Sequence, residues 1–213
     1  MKEVDKPHVH DLLQIDRVSL PFGSLAEPTW VREALVVCPW VVVRRAQTSF
    51  GQIAVGARGA TRSERWGAFC DESQVRTIVR PEQLFYSSQL SSRSLRTPAL
   101  RTLHEMRERW AGLSLRWGPA GSVGFELASG LRVTTEASDL DLVIRAPQRI
   151  AVEQARSLLD RTLGLEAKVD VRVETRLCGF ALEEYALASS ARILFRYAGG
   201  VRLLGKDPWQ VES

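Results

Sequence analysis

The sequence predicts an α+β chain in two parts, a small N-terminal mixed α/β domain followed by a mixed sheet with helices. Three observations lead there. The stretch SSQLSSRSLRTP (87–98) is rich in serine and ends in a proline, the composition of a linker or long loop. Upstream of it a β-branched run follows a short helical segment, and downstream two alternating strands flank one amphipathic helix. The reading gives domains at 1–95 and 96–213.

Taken in order, Pro28 to Leu35 reads as a short helix with proline in its first turn, followed by a strand at Trp40 to Arg44 and another near Gln52 to Val55. Gly56 to Arg65, GARGATRSER, reads as a flexible, arginine-studded loop. Past the linker, Leu100 to Trp110 sets apolar residues at 100, 103 and 110 against a charged face, which is helical spacing. Then come a strand (LSLRW), a glycine-rich turn (GPAGSVG), a short helix (FELAS), a loop, and the strand SDLDLVIR, Ser138 to Arg145. A helix from Gln148 to Leu163 places Ile150, Ala151, Ala155, Leu158, Leu159 and Leu163 on one side, with Gly164 as its C-cap. The strand Lys168 to Thr175 follows, then a helix at Leu182 to Leu187 and a hairpin, ILFRY and VRLLG, turning at Ala198-Gly199-Gly200.

Composition narrows the class. With 213 residues, 45% hydrophobic and 25% charged, the chain is long enough for a substantial core. No apolar run approaches the length of a membrane span, and the charged opening MKEVDKPHVHD is unlike a signal peptide. Cys38, Cys70 and Cys178 are odd in number and widely spaced, which predicts reduced thiols in a cytoplasmic protein. The net charge of +4 carries 25 Arg against 4 Lys, yet no long basic run tracks a nucleic-acid backbone, so neither nucleic acid nor membrane is an expected partner. Arginine forks do match phosphate oxygens, and the bias suits a polyphosphate ligand.

The two aspartates of SDLDLVIR carry the chemistry. In a strand, Asp139 and Asp141 share one face while Leu140 and Leu142 take the other. At about 7 Å and an effective dielectric near 20, their repulsion is roughly 2 kcal/mol, which a bound divalent cation turns into attraction. In KVDVRVET, Val169, Val171 and Val173 face one way and Asp170, Arg172 and Glu174 the other, so a third carboxylate is available if the two strands are neighbours. Asp170 is the first candidate and Glu174 the competing one. Gly118, Gly121 and Gly124 permit close backbone approach, and Ser122 at a helix start offers its hydroxyl and nearby amides to phosphate.

A Gly-Ser turn, a strand with acids at i and i+2, and a third acid on a later strand resemble the nucleotidyltransferase superfamily. The resemblance matches Gly121 and Ser122 to the turn, Asp139 and Asp141 to the metal pair and Asp170 to the third acid, and it implies a nucleotidyltransferase-like sheet for 96–213. The blocks WVVVRRA, GQIAVGARGATRSERWGA, WGPAGSVGFELASGL, SDLDLVIRAP, VDVRVET and DPW are similar, over nearly the whole chain, to the phosphoribosyl-dephospho-CoA transferases (holo-acyl-carrier-protein synthases) of the malonate decarboxylase system.

That resemblance implies a cytoplasmic, metal-dependent enzyme. Its donor is 2'-(5''-triphosphoribosyl)-3'-dephospho-CoA, its acceptor a serine of the apo acyl-carrier subunit of malonate decarboxylase, and its by-product diphosphate. Two Mg²⁺ ions on Asp139, Asp141 and Asp170 are implied, with 1–95 binding substrate or carrier. Arg58, Arg62 and Arg65 are the candidates for clasping phosphates or the dephospho-CoA arm; Arg44, Arg45 and Lys206 are weaker ones, and Trp40 and Trp66 are candidates for stacking on adenine. The same acids serve any nucleoside triphosphate, so adenylylation of a protein or small molecule is one alternative. A non-catalytic nucleotide- or carrier-binding module is another.

Overall fold

The computed structural model describes residues 6–16, 27–61, 63–86, 96–187, 193–204 and 207–210, and for 201–204 the backbone alone. The chain divides into two compact units, Met1–Arg80 and Pro81–Ser213. The division falls earlier than the serine-rich stretch, of which 87–95 lies outside the described residues.

The first unit is a five-stranded sheet in the order β4-β3-β2-β1-β5, formed by β1 (Leu12–Ile15), β2 (Trp40–Val43), β3 (Gln52–Arg58), β4 (Arg65–Asp71) and β5 (Val75–Val79). Every pairing in it is antiparallel. Alternation drives the packing. Leu13, Ile15, Val41, Val43, Ile53, Val55, Ala57, Ala68 and Cys70 form one buried cluster with Val31 of α1 (Thr29–Val37), whose entry is fixed by Pro28 at the N-cap. The stretch expected as a flexible arginine loop is instead a hairpin: β3 runs on through Arg58, β4 starts at Arg65, and Gly56 sits mid-strand opposite Gly67. Those paired glycines leave room for the Arg44 side chain, whose Cδ lies 3.0 Å from where a Gly56 Cβ would stand. Trp66 packs against the cluster as a core residue.

The second unit holds a six-stranded sheet, β11-β10-β9-β8-β7-β6. Its strands are β6 (Arg116–Pro119), β7 (Leu140–Arg145), β8 (Val169–Glu174), β9 (Gly179–Ala181), β10 (Ile193–Tyr197) and β11 (Gly200–Leu204). The pair β7/β8 is parallel and the others antiparallel. A parallel pair needs a crossover, supplied here by α4 (Val152–Asp160). The helices α2 (Pro98–Arg109), α3 (Gly121–Ser129) and α5 (Leu182–Leu187) complete the unit. Leu140, Leu142 and Ile144 of β7 are fully buried, as are Leu100, Leu103 and Met106 of α2 and Phe180 of β9.

Element edges differ from expectation for local reasons. The helix expected over 148–163 is shorter because Ile150 lies in an extended approach whose carbonyl accepts from the Tyr185 hydroxyl at 2.7 Å, and because residues 161–164 form a turn ending at Gly164, φ +70°. The strand expected from Leu113 starts at Arg116, since the Leu113 amide donates back to the Trp110 carbonyl at 3.1 Å. The short helix expected at Phe125 begins at Gly121, so the glycine-rich turn is its first turn. Near the end of the chain, the Trp209 indole donates to the Ala146 carbonyl at 2.8 Å and its ring meets those of Phe180 and Tyr185. Among the described residues no helix is long and apolar enough to cross a membrane.

Candidate active site

Because β7 and β8 run parallel, their N-terminal ends lie at the same edge of the sheet. The register sets Asp141 directly beside Asp170, and Asp139 stands just before β7, where the Leu140 amide makes the first tie to β8 at the Lys168 carbonyl, 2.8 Å away. All three aspartates are half-buried. Like charges held this close repel unless something cationic stands between or beside them. One such partner is in place: Arg172, next on the same face of β8, puts Nη2 3.1 Å from Asp170 Oδ2.

The Gly-Ser turn comes to the same edge. The Ala120 amide donates to the Asp141 carbonyl at 2.8 Å, and α3 starts at the next residue. Gly121 has φ +54°, and a Cβ there would collide with the Asp141 carboxylate. Only glycine lets the helix start this close to the acid. The first bond into the helix is from the Gly124 amide to the Ala120 carbonyl, 2.8 Å, so the amides of residues 121–123 have no intrahelical acceptor. They leave the positive end of α3 beside the acidic edge, a setting for phosphate oxygens, with half-buried Ser122 next to it.

Glu174, the competing third acid, lies at the far end of β8 opposite Arg145. It is 8% exposed, and its Oε1 is 2.5 Å from where a Gly179 Cβ would stand, so its carboxylate packs over that glycine, away from Asp141. Asp170 is therefore the acid that the fold puts beside the pair. Among the described residues no group of three or more His, Cys, Asp or Glu side chains is arranged to hold a metal ion. Mg²⁺, however, is bound by one or two carboxylates together with substrate phosphates and water rather than by an all-protein cage. The neighbouring Asp141 and Asp170, both oxygen donors, fit that mode.

Two of the arginine candidates belong to the first unit. Arg58 and Arg65 are direct partners at the end of the β3/β4 hairpin in the first unit, and Arg65 Nη1 donates to the carbonyls of Thr61 (3.3 Å) and Glu64 (3.1 Å). Arg62 and Lys206 lie outside the described residues. His8 is taken up in a turn, its amide donating to Asp11 Oδ2 at 2.8 Å, and the three cysteines are buried and outside any disulfide. Burial, then the charge of Asp71, pushes the Cys70 thiol up to about 11. Two polar residues of the second unit are not among the site candidates of the sequence: Arg172, which alternation puts on the face of Asp170 but which belongs to no motif, and Glu126, a lone acid in an otherwise apolar helix.

Acids abreast on a parallel strand pair, beside the N-terminus of a helix, make a candidate site for a phosphorylated substrate. The comparisons give the particular family. The model described as the phosphoribosyl-dephospho-CoA transferase MdcG N-terminal domain matches residues 8–81, and the model described as its C-terminal domain matches residues 86–207. The chain belongs to the phosphoribosyl-dephospho-CoA transferase family. Proteins of that name from Pseudomonas fluorescens (40% identical over 205 residues, 96% of this chain and 94% of the relative), Azotobacter vinelandii (38% over 214 residues, 96% and 95%) and Pseudomonas putida (38% over 209 residues, 98% of each) are similar along nearly their whole length. No solved structure matches the chain.

Proposed function

We propose that the chain transfers the phosphoribosyl-dephospho-CoA group from 2'-(5''-triphosphoribosyl)-3'-dephospho-CoA to a serine of the apo acyl-carrier subunit of malonate decarboxylase, in the cytoplasm. In this reading the carrier serine oxygen attacks the α-phosphorus of the donor, the bond to the β-phosphate oxygen breaks, and diphosphate leaves. The observation that carries it is the seating of Asp141 between Asp170 and the start of α3.

Asp141 and Asp170, with Asp139 at the same edge as the third expected acid, would hold Mg²⁺, expected as two ions, and bound metal would supply the positive charge that offsets the triphosphate. The amides at the head of α3 and the Ser122 hydroxyl orient phosphate oxygens. Asp170 is assigned the proton of the attacking serine, with Arg172 positioning its carboxylate. Arg58, Arg62 and Arg65 are assigned to donor phosphates, and residues 1–95 to donor or carrier binding.

The test mixes the protein, Mg²⁺ and apo carrier with either the triphosphoribosyl donor or ATP and reads the carrier's intact mass. A gain equal to the phosphoribosyl-dephospho-CoA group, from the first donor alone, is the expected result. An adduct formed from ATP alone overturns the donor assignment in favour of adenylylation. No adduct from either, with a correctly folded carrier, favours a binding module.

A further inference from the structure

Glu126 is an anomaly in α3. It is 0% exposed, on a helix whose other buried residues are Val123, Gly124, Phe125 and Leu127. A carboxylate in that position is tolerated only when donors surround it, and here they come from two distant parts of the chain. Arg96, ahead of α2, places Nη2 2.8 Å from both Glu126 oxygens. From the segment after α3, the Val133 amide (2.9 Å), the Thr134 amide (2.9 Å) and the Thr134 hydroxyl (2.8 Å) all converge on Oε2. Arg96 closes the ring by reaching the Thr134 hydroxyl at 2.6 Å and the Thr134 carbonyl at 3.2 Å.

What this ring holds is the approach to Asp139. Directly after Thr134, the Thr135 amide donates to Ser138 Oγ (2.9 Å) and the Ser138 amide to the Thr135 carbonyl (3.1 Å), a closed turn that delivers the chain to Asp139. Residue 140 is already tied to β8. Asp139 thus sits between a strand fixed on one side and a turn anchored to Glu126 on the other. The anchor is on the same rigid helix whose first residues are Gly121 and Ser122.

We propose that Glu126 is a positioning residue, whose carboxylate clamps the segment 131–138 to α3 and so sets Asp139 relative to Asp141 and the Gly121–Ser122 turn. The carboxylate stays charged in this role. Burial pushes its pKa up, but the Arg96 bonds and the Thr134 and Val133 donors outweigh that and bring it below the usual carboxylate range. The clamp rests on the proposed transfer reaction for its consequence, since it acts through an acid assigned to that reaction.

The experiment uses the full chain and two readouts, hydrogen exchange of the peptide covering 131–139 and steady-state transfer with the triphosphoribosyl donor. Glu126→Gln keeps the shape but removes an acceptor from a ring of donors; Thr134→Val loosens the ring more gently and serves where the first variant does not fold. Exchange in 131–139 is expected to quicken about tenfold or more, with β7 and β8 unchanged. With it, kcat falls about tenfold or more while the donor KM stays within about threefold. Thr134→Ser, which keeps the hydroxyl, is expected to restore both. Unchanged exchange overturns the clamp, and faster exchange at wild-type kcat overturns its link to the site. A wild-type protein that transfers nothing sinks the proposed reaction instead, and the exchange arm still decides whether Glu126 holds the segment.

Discussion

The two sheets of this chain are built from the same kind of strand and differ in one connection. In the first unit every strand is antiparallel to its neighbours, so the starts of adjacent strands lie at opposite edges. In the second, α4 returns the chain so that β8 starts at the same edge as β7, and Asp141 and Asp170 come to lie abreast. A parallel pair is slightly weaker per residue and needs a dozen or more residues of crossover. What it provides is a cluster of like charge at one edge, which the antiparallel sheet of the first unit, with Arg58 against Arg65 at a hairpin end, achieves only across a turn.

The sharpest way to break this contrast is at the edge itself. Asp141→Asn is expected to lower transfer about a thousandfold with the protein still folded; a large fall in melting temperature would make Asp141 structural. Asp170→Asn should cost about a hundredfold in kcat, whereas Glu174→Gln, at the far end of the same strand, should change kcat less than about threefold and show its effect in thermal stability. Equal losses in kcat from both would mean that register does not select the third acid.

The edge also explains how much the sequence discloses. Alternation makes β7 and β8 legible, and the i, i+2 spacing of Asp139 and Asp141 predicts one face for them, although β7 itself starts only at Leu140. Whether Asp170 or Glu174 joins them depends on a pairing between strands that the crossover decides, and no local pattern encodes it. The same limit hides β4: RWGAFCD contains a glycine and follows an arginine-rich stretch, no strand is read there from sequence, and only pairing residue for residue with β3 makes it one. β1, β5 and the three-residue β9 are too short or too irregular to show a period. Glu126 is illegible because its partners lie at 96, 133 and 134, far from any helical neighbour.

Two left-handed glycines sharpen the comparison further, one in each unit. Gly121→Ala forces a side chain toward the Asp141 carboxylate at φ +54°, so turnover is expected to fall about tenfold, with roughly 1–2 kcal/mol lost in stability. Gly51→Ala, at φ +76° with nothing within 4 Å of the added carbon, should lose about 1 kcal/mol by denaturant titration and leave transfer unaltered. The smallest effect concerns pH. Glu126 binds its proton less tightly folded than unfolded, so its contribution to stability is present above the usual carboxylate range and is lost as pH falls through that range toward the lower folded value. Melting temperatures taken between about pH 6 and pH 3 should therefore fall more steeply for wild type than for Thr134→Val; parallel curves would remove Glu126 from the account.

The reach of Trp209 back to Ala146 has a consequence for biosynthesis. Every strand of the first sheet has been made once Val79 is in place and emerges from the ribosome well ahead of Trp209, so that unit is free to close while translation continues. The second cannot: the carbonyl that ends β7 and the Thr175 hydroxyl wait for Trp209 and Pro208, its caps, which arrive more than a hundred residues later in the chain's emergence than Val79. The far end of β7 and β8, opposite the acidic edge, is thus completed late, after every strand of the first sheet has been made.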